Sequence, residues 1–233
     1  LYSSRNALKV GTDTQSDFRQ VLVRNCQIGG VDEDARGIKH PCSDSGISLE
    51  MVDGGTLDVT NGKPMSVSLK GAFAAEANSV VHTYGAFSAA SFGLVKSEFE
   101  LAMDAADITD KLKPKAQSVS VKGAALLQDS DMVVAGKMTV GSLSMQNSSL
   151  WLYDPSGKNK AMGLTSKGAL TLGSGSSITL SGKLSAKDLT LTDSYIKLTS
   201  TKVQTITAKN SLTLSGDNTI IFDFDAANGK KYK

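Results

Sequence analysis

From residue 138 onward the apolar residues come in i, i+2 pairs, and three such pairs make a unit that recurs along the chain. The first unit is Met138/Val140, Leu143/Met145 and Leu150/Leu152, and the second is Met162/Leu164, Leu170/Leu172 and Ile178/Leu180. The third is Leu184/Ala186, Leu189/Leu191 and Ile196/Leu198, and the fourth is Ile206/Ala208, Leu212/Leu214 and Ile220/Phe222. Unit starts at Met138, Met162, Leu184 and Ile206 set a period of about 22 to 24 residues. A spacing of two puts both members of a pair on one face of a strand. A repeat of that length marks a stacked, quasi-one-dimensional architecture.

Between the second and third pairs lie residues 146–149, 173–177, 192–195 and 215–219, rich in Ser, Thr, Asn, Asp and Gly, the residues that turn a chain. The inward parity changes across most of these turns, so each unit reads as three short strands around a three-sided coil. The expected fold is all-β: a parallel β-helix of about 22–24 residues per coil, its coils stacked to bury one aliphatic column. A helix is excluded over 138–222 by the density of Ser, Thr and Gly and by the missing 3.6-residue period. With only 6% aromatic residues, the chain suits a narrow core of Leu, Ile and Val. Residues 153–160, Tyr-Asp-Pro-Ser-Gly-Lys-Asn-Lys, interrupt the first unit as an exposed loop.

Upstream the same grammar is less regular. Val67/Leu69, Val119/Val121 and Met132/Val134 are pairs, residues 71–93 are Ala-rich with Tyr84, Phe87 and Phe92, and residues 99–115 read either as a short helix or as a laterally projecting loop. The chain divides into residues 1–60, of different flavour, and the Ser/Thr-rich repeats of 61–233, continuous with the first part. Starting at Leu1 without a leader and ending on Gly229-Lys230-Lys231-Tyr232-Lys233, it reads as a piece of a longer protein.

A net charge of +2, from 25 basic and 23 acidic residues spread along the chain, gives no footprint for nucleic acid or an anionic membrane surface. No apolar run approaches the ~20 residues of a membrane-spanning helix. Cys26 and Cys42 are too few for a disulfide-rich scaffold or a cysteine zinc site, and leave open one bridge or two buried thiols. His82 has no second ligand at metal spacing and reads as a strand residue. Gly173-Ser174-Gly175 lacks the Lys-Ser or helix start of a phosphate loop, Lys158, Lys160, Lys230 and Lys231 belong to turns or the terminus, and calcium nonapeptide repeats are missing. No catalytic residue, metal site or cofactor is therefore assigned. Asp223 and Asp225, about 6.6 Å apart at strand spacing, approach the ~6.5–9.5 Å gap of an inverting glycosidase pair. With Ile220, Phe222 and Phe224 taking the core, they read as a solvated outer face. Asp32 with Asp34, and Asp129 with Asp131, read the same way in loops.

Two resemblances cover different parts of the chain. Phe18-Arg19-Gln20-Val21-Leu22-Val23-Arg24-Asn25-Cys26 and Ile47-Ser48-Leu49-Glu50-Met51-Val52-Asp53-Gly54-Gly55 resemble rungs of polygalacturonase-type glycoside hydrolases, which are right-handed parallel β-helices. That family's Asn-x-Asp, Asp-Asp and Gly-His-Gly do not occur here, and Arg36-Gly37-Ile38-Lys39 is one residue longer than its Arg-x-Lys. The resemblance implies that Arg36, Lys39 and His40 would clamp a uronate carboxylate; a solvated turn is the plainer reading, because no acid pair accompanies them. Gly55-Thr56-Leu57-Asp58-Val59, Ser211-Leu212-Thr213-Leu214-Ser215-Gly216 and Asn218-Thr219-Ile220-Ile221-Phe222-Asp223-Phe224-Asp225 resemble passenger repeats of bacterial autotransporter-like surface proteins. This second resemblance implies a segment of a secreted or surface-displayed solenoid with a structural or adhesive role, whose partners are glycans or host surface proteins, and which self-associates end to end. The alternative is a fragment of a pectin-type hydrolase whose catalytic aspartates lie outside this chain.

Overall fold

A computed structural model describes residues 66–69, 71–103, 108, 114–158, 160–199 and 204–223, together with the backbone of six strands between residues 7 and 59. Those six are β1 (Ala7–Gly11), β2 (Gln20–Leu22), β3 (Val31–Glu33), β4 (Lys39–Pro41), β5 (Ser48–Val52) and β6 (Thr56–Val59). Three-strand coils follow. The first is β7 (Val67–Ser68), β8 (Ala72–Glu76) and β9 (Val80–Thr83), and the next is β10 (Phe87–Ala89), β11 (Ser91–Val95) and β12 (Glu98–Leu101). Then come β13 (Gln117–Val121), β14 (Ala124–Gln128) and β15 (Asp131–Val134), and β16 (Gly136–Val140), β17 (Ser142–Gln146) and β18 (Ser149–Leu152). After β19 (Leu164–Ser166), β20 (Ala169–Leu172) and β21 (Ser177–Leu180), the first two strands of each coil merge into one. These are β22 (Lys183–Thr192) with β23 (Tyr195–Leu198), and β24 (Thr205–Ser215) with β25 (Thr219–Phe222).

Every described ladder between coils is parallel, and only the hairpin β3–β4 is antiparallel. One face is the ladder β7-β10-β13-β16-β19-β22 and a second is β1-β5-β8-β11-β14-β17-β20-β22; the merged strand β22 joins them into a 14-stranded sheet. The third face is the 9-stranded sheet β2-β6-β9-β12-β15-β18-β21-β23-β25. The protein is a parallel β-helix, and no helix among its described residues is long and apolar enough to cross a membrane.

The register stacks like on like. Val67, Phe87, Val119, Met138, Leu164, Leu184 and Ile206 form one inward column, each on the strand directly above the last. Most steps of this column use about 20 residues of chain, near the lower end of the solenoid range. The two longer steps, from Phe87 to Val119 and from Met138 to Leu164, carry the insertions. The second unit differs from its expected register. Met138 stacks on Leu164, so the inward pair of β19 is Leu164/Ser166, with Met162 buried just ahead of the strand. Sliding the pair by two preserves its face, and the buried Ser166 hydroxyl is accommodated because it donates to the carbonyl of Ala169 at 2.8 Å.

Rings occupy one level of the core. Phe87, Phe92 and Phe99 reach in from the three faces of a single coil and Phe73 packs from the coil before, with centroids 5.0–6.0 Å apart. The next coil stacks the small Ala125 on Phe92, which makes room for the rings. Residues 98–101 are therefore strand β12 and Phe99 is core, while residues 104–107 and 109–113 lie outside the described residues.

The corner before the third face carries a second repeat. Asn78, Lys96, Asp129, Asn147, Gly175 and Asp193 all have positive φ, and each is followed by a buried serine: Ser79, Ser97, Ser130, Ser148, Ser176 and Ser194. The left-handed residue turns the chain through the corner, which suits Asn, Asp and Gly. The serine then neutralises the backbone exposed by that turn. Ser130 Oγ donates to the Gln128 carbonyl at 2.7 Å and Ser148 Oγ to the Gln146 carbonyl at 2.8 Å. Each hydroxyl also accepts the N–H of the preceding coil's serine, Ser97 to Ser130 and Ser130 to Ser148, both at 3.1 Å. In the last coil Asn218 takes the place of serine and accepts the Ser194 N–H at 3.1 Å. Ser176 Oγ alone among these is buried without a partner, at a turn where Ser176 N–H instead closes onto the Gly173 carbonyl.

The register and the serine ladder can each be tested by substitution. Leu191 is fully buried, so Leu191→Ala should cost roughly 2–5 kcal/mol in urea unfolding, whereas Thr190→Ala, outward on the same strand, should cost about 0.5 kcal/mol or less. Leu214, its equivalent in the last described coil, is 56% exposed, so Leu214→Ala should cost well under half as much as Leu191→Ala. Ser148→Ala strands the buried Ser130 N–H, while the Gln146 carbonyl keeps the Asp129 N–H, and should cost about 1–3 kcal/mol, with faster hydrogen exchange at the Ser130 amide. Ser149→Ala, losing only an exposed bond to Asp131, should leave that amide unchanged.

Candidate binding cleft

Both insertions leave the solenoid at the same corner, after a third-face strand and before the next first-face strand, two coils apart. The first ends in Pro114, Lys115 and Ala116, and the buried Tyr84 anchors it by accepting the Lys115 N–H at 3.1 Å. The second is organised by Asp154. Its carboxylate accepts Ser156 N–H at 3.0 Å, Lys160 N–H at 2.7 Å and the Ser156 hydroxyl at 2.8 and 2.9 Å. Burial opposes ionisation of Asp154, but these hydrogen bonds and the Lys160 charge prevail and hold its carboxyl below the usual range. The expected loop over 153–160 is therefore a tied structure.

A cleft of about 800 Å³ lies between the described end of the first insertion, Pro114 and Lys115, and Asp154, Pro155, Lys158 and Lys160 of the second. Where β18 runs toward this cleft, Trp151 and Tyr153 stack with centroids 4.7 Å apart and planes 28° from parallel. Leu150 and Leu152 point inward, so Trp151 must point outward, and it is 47% exposed on a strand that cannot shift without breaking two ladders. Burial, reinforced by the nearby Glu100 carboxylate, pushes the Tyr153 hydroxyl above its ordinary range, so it remains a neutral phenol near neutral pH.

A smaller groove of about 340 Å³ follows the serine corner past Asn78, Lys96, Glu98, Asp129 and Asp131. Two of its three acids are structural: Asp129 accepts from Asn147 Nδ2 at 2.8 Å, and Asp131 accepts from the Ser149 hydroxyl. Asp223 is exposed just beyond β25 and pairs with Lys197 at 2.9 Å, which raises the Lys197 pKa through that hydrogen bond and charge, while Asp225 lies outside the described residues. His82 sits on β9 as expected, its Nε2 4.0 Å from Glu100 Oε2 on the next rung. Gly173-Ser174-Gly175 is a corner turn, with Gly175 at φ +75°.

Lys39 and His40, expected with Arg36 to form a cationic turn, instead lie on β4, opposite Glu33 and Asp32 in the hairpin register. Arg36, Asp34, Cys26, Cys42, Lys230 and Lys231 lie outside the described residues. Sequence reasoning passed over Trp151, Tyr153 and Lys115. The parity of Leu150 and Leu152 already marks Trp151, the single tryptophan of the chain, as an outward ring. No family model, curated protein or solved structure matches the chain, so its function must be argued from this geometry.

The Asp154 tie has a pH signature. A carboxyl whose pKa is lowered by folding stabilises the loop above the usual carboxylate range and loses that contribution as pH falls through its lowered value. The protection factor of the Lys160 amide, its exchange relative to the unprotected rate at the same pH, should therefore fall on acidification below about pH 4 while the core amides stay protected. Asp154→Asn should exchange fast at Lys160 at every pH; an unchanged, pH-dependent profile in that variant would contradict the assignment.

Proposed function

We propose that this chain is a segment of a bacterial secreted or surface-displayed β-solenoid with a structural or adhesive role. The observation that carries the reading is a single outward column. Ser68, Ser88, Ser120, Thr139, Thr165, Ser185 and Thr207 occupy equivalent positions on seven successive rungs of the first face. Rungs repeat every ~4.8 Å, so the face offers an evenly spaced row of hydroxyls, with Ser88 and Ser68 already bonded to each other at 3.1 Å. Such a row suits weak, repeated hydrogen bonding along an extended glycan or host-protein surface, and the stacked coils supply stiffness. Beads coated with the chain should be retained on glycan- or matrix-protein-coated surfaces. Ser120→Asp with Thr165→Asp, two rungs apart so that the carboxylates do not oppose each other, should cut retention severalfold with little change in melting temperature; no retention on any surface would leave only the structural role.

A second reading, a pectin-type hydrolase acting through acids of this chain rather than through the outside aspartates expected from the sequence, draws on the register that aligns Asp58, His82 and Glu100 on three successive rungs of the third face. Two rungs separate the acids by roughly 9.6 Å along the axis, at the edge of the inverting range of ~6.5–9.5 Å. The chain is expected not to release reducing ends from polygalacturonate. Turnover that disappears in Glu100→Gln would favour this second reading over the first.

A further inference from the structure

The stacked Trp151 and Tyr153 adjoin the cleft, because Tyr153 runs directly into its lining residue Asp154, and the described lining residues carry three lysines to one aspartate. Lys115, Lys158 and Lys160 are exposed at its walls, and the only carboxylate among its described lining residues, Asp154, is engaged by the hydrogen bonds of its own loop. Asp154 is thus committed to holding the wall, and the three ammonium groups are left to face solvent and ligand.

Trp151 and Tyr153 supply the second element. Their stacked rings lie nearly parallel on a rigid strand, so the shelf is already formed and binding need not order it. Amphipathic rings of this kind offer an apolar face to the C–H faces of a sugar, while the Tyr153 phenol stays a hydrogen-bond donor. Glu100 stands two rungs from Trp151 on the same outward column and close enough to act on Tyr153, so it disfavours an anion at that end of the shelf.

We infer that this cleft and shelf bind an anionic polysaccharide, pyranose rings lying on Trp151 and Tyr153 and their acidic groups meeting Lys115, Lys158 and Lys160. The inference rests on the adhesive reading and gives it a site separate from the hydroxyl ladder.

The single tryptophan makes the test local. Trp151 emission is followed while the chain is titrated with polygalacturonate, dextran sulfate, neutral dextran and poly-L-glutamate. A saturable emission change is expected with at least one of the two acidic polysaccharides, which of them distinguishing carboxylate from sulfate recognition, and a much weaker one with neutral dextran. Lys115→Ala with Lys158→Ala and Lys160→Ala should weaken that response by about tenfold, and thermal melts of the triple variant should match those of the parent, since all three side chains are exposed. Poly-L-glutamate acting as well as the acidic polysaccharides would reduce the cleft to a bare cationic patch and overturn the inference, as would equal binding of neutral dextran. If polymers bind, by a mass-based measurement, with no Trp151 response and no loss in the triple variant, the cleft is refuted while adhesion through another face stands. Binding of none of the four polymers by either measurement overturns the cleft; whether adhesion fails too is then read from surface retention.

Discussion

The parallel ladder between successive coils governs the rest of the molecule. Each strand hydrogen-bonds to its equivalents above and below, so every side chain meets the side chain one coil away at the same position. Inward positions are therefore apolar almost throughout, because a polar lapse lies against buried neighbours, as Thr83 does with its hydroxyl unpartnered. Leu143, Leu170 and Leu189 illustrate the rule, and Ser166 illustrates its exception, satisfied by a carbonyl of its own turn. A coil alone buries nothing; the fold exists only as a stack.

The same constraint decides where variation is allowed. The corner before the third face is fixed, because a left-handed residue and a buried serine recur there and the serines bond from coil to coil. The corner after the third face carries no such ladder, and both insertions emerge from it. Loops added there leave the core columns intact, which is how the long steps from Phe87 to Val119 and from Met138 to Leu164 coexist with the short ones on either side. The described end of the first insertion, residues 114–116, and the second insertion flank one cleft at that corner.

Much of this was legible in the amino-acid sequence because alternation is a direct physical signal. The pairs of the third and fourth units, and all but one of the first two, stack in the register their spacing implies. Ile220 and Phe222, however, expected in the core, are exposed together with Leu212 and Leu214, on the last described coil. Met162 misled because apolarity alone cannot reveal a satisfied buried serine, and the Phe cluster was hidden because rings spaced along the sequence meet only after the chain closes into a coil. The serine corner was present as Lys96-Ser97, Asp129-Ser130, Asn147-Ser148 and Asp193-Ser194, yet polar dipeptides read as ordinary turns until the rungs align them. The cleft was least legible: Lys115 and Lys158 belong to separate loops, and only the stacking register brings their loops together.

The stacking register itself is tested most directly by distance. Nitroxide labels on the outward column, one at Thr207 and the other at Ser120, Ser88 or Ser68, probe four, five and six rungs by double electron–electron resonance. With rungs every ~4.8 Å the three separations should be about 19, 24 and 29 Å. The step from Ser120 to Ser88 should equal the step from Ser88 to Ser68, although the first crosses the longer insertion and the second crosses none. Separations that instead grow with the length of intervening chain would contradict the parallel stack and everything derived from it.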